Sequence, residues 1–186
     1  VMPLPARVRL VEVGPRDGLQ NEKQSVSTAN KIELVHRLQA AGLREIEATS
    51  FVSPKWVPQM ADSTQVMAGL QRKAGVRYSV LVPNMQGLTA ALATKPDEIV
   101  VFAAATEAFS QRNINCSIDE SMARFAPVVQ AAHENGVKVR GAISCALGCP
   151  YQGEVSADEV ERVVRLMKGL GVDHCGVADT IGVGTP

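Results

Sequence analysis

Short apolar runs alternate with longer amphipathic stretches along the whole chain. The apolar runs are rich in β-branched residues, and several are apolar on both faces, which is typical of buried parallel strands. They predict six strands, at residues 7–13, 44–49, 76–82, 98–104, 137–144 and 175–178. Between these runs, apolar residues recur three and four positions apart, which indicates helices that pack one face on a sheet.

Capping signals limit several of these helices. Ser-x-x-Glu capping boxes at Ser117 and Ser156 begin two of them, and Asn84 is placed to cap a shorter one. Four amphipathic stretches are followed by a glycine that can end a helix, namely Gly42, Gly75, Gly136 and Gly171. Strand and helix in strict alternation predict a parallel sheet with right-handed crossovers.

The polar residues favour a barrel over a doubly wound sheet. No GxGxxG or GxxxxGK[ST] motif opens any of the predicted helices, so the usual sign of a nucleotide-binding sheet is missing. Polar residues instead follow the predicted strands: Arg16, Asp17, Glu47, Asn84, Glu107, Ser144, Cys145, Asp179 and Thr180. In a (β/α)8 TIM barrel these positions meet on the rim that carries the active site, so the pattern predicts an enzyme.

The chain length limits how much of such a barrel is present. A complete barrel has eight units in about 250 residues, whereas this chain has 186 residues and about six units. We therefore expect residues 1–186 to be one incomplete TIM-barrel catalytic domain, the N-terminal portion of a longer enzyme, with no second domain. An open sheet of this kind leaves edge strands that can pair with another chain.

Composition limits which binding partners and which cellular compartment are expected for this chain. Lysine plus arginine equals aspartate plus glutamate, at 19 each, so no bulk field favours nucleic acid or an anionic membrane. No apolar run reaches the roughly 20 residues of a membrane span, and no secretory signal opens the chain. The four cysteines show no zinc-type pairing, and we expect them to be reduced thiols.

The first strand leads into VEVGPRDGLQNE, residues 11–22, where a Gly-Pro-Arg-Asp-Gly sequence bends the chain. Arg16 and Asp17 could be an ion pair that only fixes this loop. Alternatively, Asp17 offers oxygen to Mg²⁺ or Mn²⁺, and Arg16 stabilises an enolate or oxyanion. Glu47 could form a salt bridge to Arg16, or orient that arginine or a metal-bound water. The three histidines lie away from the rim, and we expect them to be solvated or structural.

Several segments together resemble one enzyme family. GPRDGLQNE at 14–22 is similar to the signature of metal-dependent lyases and Claisen-type synthases that share a (β/α)8 barrel. Five segments look like those of the 3-hydroxy-3-methylglutaryl-CoA lyases within that group: RDGLQNEK (16–23), TSFVSPKWVPQMAD (49–62), NINCSIDES (113–121), SCALGCPYQG (144–153) and ADTIGVGTP (178–186). This resemblance implies metal-assisted cleavage of 3-hydroxy-3-methylglutaryl-CoA to acetyl-CoA and acetoacetate, in leucine degradation and ketone-body formation.

The resemblance also implies roles for residues in catalysis. Arg16 matches the family's arginine at the enolate oxygen, and Asp17 matches its metal-binding aspartate. Glu47 and Asp179 match acidic residues close to the site.

Further matches concern substrate binding and assembly. Lys23 and Asn113 match positions near the coenzyme A moiety, while Ser50 and Thr180 could bind the substrate carboxylate through their hydroxyls. A homodimer or other homo-oligomer is expected of the full-length protein.

The chain also lacks parts of the family's site. The remaining metal ligands, a His-x-His and an asparagine, and the catalytic cysteine of a GCPY loop would follow residue 186. ALGCPY at 146–151 looks like that loop, but it aligns with the family's fifth-strand segment, so Cys145 and Cys149 are predicted to be rim or packing thiols. We therefore expect the 186-residue chain alone to be inactive.

Two other functions stay open on the sequence. A Claisen condensing acyl-CoA synthase or a pyruvate-releasing aldolase would use the same Arg-Asp pair, although Leu19, Gln20 and the SFVSPKWVPQ segment favour the lyase. A truncated, noncatalytic chain would act only by pairing its sheet edges with another subunit. For the location we expect the bacterial cytoplasm, with the mitochondrial matrix as the alternative.

Overall fold

The structure is a computed structural model, and it describes residues 5–185. The helices are α1 (Thr28–Ala40), α2 (Ser63–Gly69), α3 (Met85–Ala93), α4 (Glu107–Ile114), α5 (Ile118–Glu134) and α6 (Ala157–Gly169). The strands are β1 (Glu45–Ser50), β2 (Arg77–Leu81), β3 (Glu98–Ala104), β4 (Lys138–Ser144) and β5 (His174–Val177). A π-helical turn spans Gly14–Gly18, and a short 3-10 helix spans Pro58–Met60.

The five strands form one parallel sheet in the order β1-β2-β3-β4-β5. Each strand is therefore hydrogen-bonded to the next one along the chain, with helices in the connections, which is how a (β/α)8 barrel is wound. The carboxyl ends of all five strands lie on the same edge. The predicted alternation, parallel pairing and partial-barrel fold are confirmed.

The predicted first strand, residues 7–13, is wrong as a strand. Only Glu12 pairs with the sheet: its N–H donates to the Glu45 carbonyl at 2.9 Å, and its own carbonyl accepts from the N–H of Glu47 at 2.8 Å. Val8 and Leu10 are 74% and 68% exposed. An extended apolar segment becomes a strand only where successive residues find partners, and here a single position does.

Most of the predicted helix limits agree with the structure. Asn84 accepts from the N–H of Gly87, and both capping boxes form, at Ser117 and Ser156. The prediction that Gly75 ends the second helix is wrong, because that helix stops at Gly69 and Leu70 is already extended. The sequence pattern did not predict α4, which the Thr106 hydroxyl caps.

The core lies between the sheet and the helices. Its buried residues include Ile46, Val80, Ile99 and Val139 from the strands and Val35, Met67, Leu88, Phe125, Val129 and Met167 from the helices. Burying this continuous apolar layer fixes the strands, and with them the side chains at their carboxyl ends. Within residues 5–185, no helix has the length and apolar character needed to span a membrane.

Candidate active site at the carboxyl ends of the strands

The π-helical turn places Arg16 and Asp17 beside β1. Arg16 Nε donates to Glu47 Oε1 at 2.5 Å, and Arg16 Nη1 donates to Asp17 Oδ1 at 2.8 Å. The side chain of Arg16 is 14% exposed and that of Asp17 is 56% exposed. Arg16 and Glu47 therefore form the salt bridge that was one of the two interpretations of Glu47, and Asp17 is the member of the group that faces solvent.

The glycine that opens this turn has a packing reason. The N–H of Gly14 donates to Glu12 Oε1 at 2.7 Å, and a Cβ at position 14 would lie 2.8 Å from the same oxygen. A larger residue there would push this carboxylate away or shift the turn that carries Arg16.

Sequence reasoning missed two charged residues that complete this group. Arg140 in β4 donates through Nη2 to Glu47 Oε2 at 2.7 Å and through Nε to Glu98 Oε1 at 3.0 Å. Glu98 is the first residue of β3, and its second oxygen has no hydrogen-bond partner among residues 5–185. The signal was present in the sequence, because a buried strand has little reason to carry a charge unless that charge is paired.

An irregularity in β1 controls which side chains face this group. The register with β2 shifts between Glu47 and Thr49. In a regular strand these two residues, two positions apart, would point to the same face of the sheet, but the irregularity turns them to opposite faces. The Thr49 hydroxyl lies 3.0 Å from Ser63 Oγ of α2, on the opposite side from Arg140. Ser50 follows, fully buried, and its hydroxyl has no hydrogen-bond partner within the described residues.

Asp179 and Thr180 form a second polar group, after β5. Both Asp179 oxygens accept backbone N–H groups, from Val183 at 3.0 Å and from Gly184 at 2.8 Å. These hydrogen bonds, led by that of Gly184, lower the pKa of Asp179. Thr180 Oγ1 accepts from the N–H of Cys145 at 2.7 Å, which joins this loop to the end of β4.

Lys23 and Asn113 are both exposed, Lys23 in the loop after the π-helical turn and Asn113 in α4. The structure does not bring either side chain into contact with the Arg16 group. Their predicted roles would require a ligand that reaches them.

The cysteines agree with the prediction of reduced thiols. All four are free, and Cys116, Cys145 and Cys149 are buried. Burial raises the pKa of Cys145 to about 11. Burial also acts to raise the pKa of Cys149, but hydrogen bonds from the Thr106 hydroxyl and from the N–H groups of Tyr151 and Gln152 outweigh it and lower that pKa. The Thr106 hydroxyl lies 3.2 Å from Cys149 Sγ.

The described residues do not complete a metal site. Residues 5–185 contain no group of three or more histidine, cysteine, aspartate or glutamate side chains that could hold an ion. His36 accepts the N–H of Gln71 at 2.9 Å, and His133 lies 3.0 Å from Asp173, so both have structural partners, as predicted. Asp17 is left as one exposed carboxylate with one oxygen engaged by Arg16.

A parallel strand-helix sheet with polar side chains beyond the carboxyl ends of its strands is typical of β/α-barrel enzymes, and this chain has part of such a barrel. A model of the HMGL-like family matches residues 7–186, and the chain belongs to that family. Members of this family are metal-dependent.

Sequence comparison with individual relatives gives the same family. The chain is 59% identical over 184 residues to the 3-hydroxy-3-isohexenylglutaryl-CoA/hydroxymethylglutaryl-CoA lyase of Pseudomonas aeruginosa, covering 99% of this chain and 61% of the relative. It is 54% identical over 183 residues to the mitochondrial hydroxymethylglutaryl-CoA lyase of Homo sapiens, covering 98% of this chain and 56% of the relative. The chain thus spans about three fifths of the length of these relatives.

Solved structures show the same fold. The crystal structure of hydroxymethylglutaryl-CoA lyase from Pseudomonas aeruginosa matches with a TM-score of 0.95 at 59% identity, covering 99% of this chain and 61% of that one. An HMG-CoA lyase from Acinetobacter baumannii in complex with coenzyme A and 3-methylmalate matches with a TM-score of 0.90 at 34% identity, covering 96% and 59%.

Proposed function

We propose that the full-length gene product cleaves 3-hydroxy-3-methylglutaryl-CoA to acetyl-CoA and acetoacetate. The observation that carries this proposal is the Arg16–Glu47 pair with Asp17 beside it. The fold that holds this pair is shared with a solved hydroxymethylglutaryl-CoA lyase structure. In this retro-Claisen reaction a base takes the proton of the tertiary hydroxyl, whose oxygen becomes the ketone of acetoacetate. The carbon–carbon bond breaks, and its electrons form the enolate of acetyl-CoA, which then takes up a proton.

Arg16 is the residue we assign to the enolate oxygen. Its guanidinium is permanently charged, and Glu47 and Asp17 accept from Nε and Nη1, which leaves the Nη2 group to point at a ligand. Glu47 is assigned to hold Arg16 in this orientation. Asp179 is assigned to shape the Thr180 loop, since backbone N–H groups occupy both of its oxygens.

Four residues are proposed to bind the substrate. The Thr180 hydroxyl accepts from Cys145 and can still donate its proton, and the Ser50 hydroxyl is free to donate, so both suit the substrate carboxylate. Lys23 and Asn113 are proposed to contact the coenzyme A moiety, where an exposed lysine suits phosphate. A neighbouring lyase structure contains coenzyme A, which supports this class of ligand.

The proposed cofactor is Mg²⁺ or Mn²⁺, with Asp17 as one ligand. Such a cation would supply a Lewis acid for the oxygens of the substrate. One carboxylate does not hold a catalytic cation, so the other ligands would have to come from outside the described residues.

The test is an assay of the purified full-length gene product with 3-hydroxy-3-methylglutaryl-CoA and Mg²⁺, with EDTA-treated enzyme as the control. We expect equal amounts of acetyl-CoA and acetoacetate, loss of activity with EDTA, and no activity from residues 1–186 alone. Condensation of acetyl-CoA with a 2-oxo acid, or release of pyruvate, in place of cleavage would show that the site serves a synthase or an aldolase.

We also propose a homo-oligomer in the bacterial cytoplasm. Support for the bacterial location is the identity to the Pseudomonas aeruginosa relative, 59% against 54% for the human mitochondrial one. Light scattering of the full-length product would measure its mass in solution, and a monomer would contradict the first part. Recovery in the membrane or periplasmic fraction of the source cells would contradict the second.

A further inference from the structure

We propose that Arg140 is a positioning residue for the lyase reaction, acting through Glu47 on Arg16. This inference rests on the proposed function and extends it to a residue that touches none of the residues assigned to substrate. Arg140 lies in β4, and Glu47 lies in β1, 93 positions earlier in the chain. The guanidinium therefore reaches across the sheet to join strands that are not neighbours.

The two oxygens of Glu47 are held by two different arginines. Oε1 accepts from Arg16 Nε at 2.5 Å, and Oε2 accepts from Arg140 Nη2 at 2.7 Å. A carboxylate with one partner can rotate and carry that partner with it, whereas a carboxylate held at both oxygens cannot. Arg140 thus fixes the plane of Glu47, and Glu47 fixes the direction of the Arg16 guanidinium.

Arg140 is itself held in place from a third strand. Its Nε donates to Glu98 Oε1 at 3.0 Å, and Glu98 begins β3. The resulting sequence of contacts is Glu98–Arg140–Glu47–Arg16, with alternating charge. Glu98, Arg140 and Glu47 lie in strands of the sheet, whereas Arg16 lies in the π-helical turn. The strands can therefore orient a side chain that its own short turn would leave loose.

Burial makes these contacts obligatory. Glu47 and Glu98 are 1% and 2% exposed, so neither carboxylate can exchange its arginine partners for water. Arg77 Nη2 also lies 3.7 Å from the second oxygen of Glu98. Burial acts to lower the pKa of Arg140, but the charges and hydrogen bonds of Glu47 and Glu98 outweigh it and raise that pKa. Arg140 therefore remains charged between its two carboxylate partners.

A purely structural role would predict a different result from a positioning role. If Arg140 only stabilised the fold, its loss would reduce the folded fraction and leave kcat per folded molecule unchanged. If it positions Arg16, its loss lowers kcat of the folded enzyme with little change in KM, because the enolate forms only after the substrate is bound.

The experiment compares Arg140→Gln, Arg140→Lys and a control, Arg162→Gln, in the full-length gene product. Arg162 also joins two elements through a carboxylate, Asp119 at 2.9 Å, but far from Glu47 and on the surface. We expect Arg140→Gln to lower kcat about 100-fold with KM within about threefold, since small misplacements of a catalytic group cost this much. Lysine keeps the charge but has no planar fork for both carboxylates, so Arg140→Lys should retain about a tenth of wild-type kcat. Arg162→Gln should match the wild type within about twofold.

The outcomes separate this inference from the proposed function. If the wild-type product does not cleave 3-hydroxy-3-methylglutaryl-CoA, the function is wrong and the inference falls with it. If the wild type is active and folded Arg140→Gln keeps kcat within about threefold, or loses activity only through KM, the positioning role is wrong and the function stands. If Arg140→Gln does not fold, Glu98→Gln decides: a kcat about tenfold lower at unchanged KM supports the role, and an unchanged kcat overturns it.

Discussion

The hydroxyl of Thr180 accepts a hydrogen bond from the backbone N–H of Cys145 at 2.7 Å, across 35 positions of sequence. Cys145 has a left-handed backbone, with φ 62°, directly after β4. This contact ties the loop after β5 to the end of the neighbouring strand. The same threonine therefore has a structural contact beside the substrate role proposed for it.

Replacing Thr180 by valine should lower stability because it removes this acceptor without changing the side-chain shape. The expected loss in the free energy of unfolding is about 1 kcal/mol, typical of one hydrogen bond. Thr180→Ser keeps the hydroxyl and serves as the control. Urea unfolding of the full-length gene product measures both variants, and equal stability of the valine variant and the wild type would contradict the contact.

Ser50→Ala should change stability and substrate binding in opposite directions. The buried Ser50 hydroxyl has no partner within the described residues, so removing it should leave the free energy of unfolding equal or raise it by up to about 1 kcal/mol. If this hydroxyl binds the substrate carboxylate, KM should rise about tenfold, the equivalent of one hydrogen bond. A stability loss with unchanged KM would show that the serine is structural.

Glu47→Ala should be among the most damaging changes in the chain. It leaves two largely buried arginines, Arg16 and Arg140, without their shared carboxylate, which should cost about 3–5 kcal/mol of unfolding free energy. Glu33→Ala, which removes an exposed carboxylate paired with Arg37 within α1, is the matched control and should leave stability unchanged. Thermal unfolding followed by circular dichroism would compare the two, and similar midpoints would contradict the prediction.

Asp179 should make a pH-dependent contribution to stability. Its pKa is lowered in the folded chain, so the stabilisation is present above the unfolded value of about 3.9 and is lost as pH falls through the lower folded pKa. The wild type should therefore be more stable than Asp179→Asn at neutral pH, and the difference should shrink below about pH 4. Unfolding curves from pH 3 to pH 7 measure this difference. A constant difference would mean that the carboxylate charge is not the cause.

Cys149→Ser should keep kcat within about threefold of the wild type, because a buried thiol beside Thr106 is a packing group. A catalytic nucleophile or acid would instead lose activity by orders of magnitude. Saturating assays of the full-length gene product decide between these roles, with Cys116→Ser as the buried-thiol control.

The sequence predicted the parts of the fold that depend on local pattern. The spacing of apolar residues and the capping boxes identify the helices that begin after Ser117 and Ser156, because both signals are contained within the helix segment itself. The segment 7–13 has the same pattern as a strand, but pairing depends on neighbours that the local pattern does not show. Helix α4 was missed because EAFSQRNI is mostly polar and offers little periodicity.

The candidate site was likewise predictable only in part. Arg16 follows the segment 7–13 and Glu47 lies within the predicted strand 44–49. Consecutive strands of a parallel barrel are neighbours, so contact between these two residues could be anticipated. Arg140 and Glu98 could not be placed, because their partner depends on how far a long side chain reaches across several strands. A charge inside an apolar strand indicates that a partner exists, but not which residue it is.

The irregularity in β1 has a consequence for how this strand tolerates changes in length. Six residues, Glu45–Ser50, run beside five, Arg77–Leu81, so β1 carries one residue more than its neighbour. Deletion in a buried strand ordinarily turns every later side chain to the wrong face. Here, loss of Ala48 would restore one-to-one pairing, with Glu47 and Ser50 on one face and Thr49 on the other, as they are now. Homologous proteins can therefore differ by one residue at this point and still present the same carboxylate and hydroxyl to a ligand.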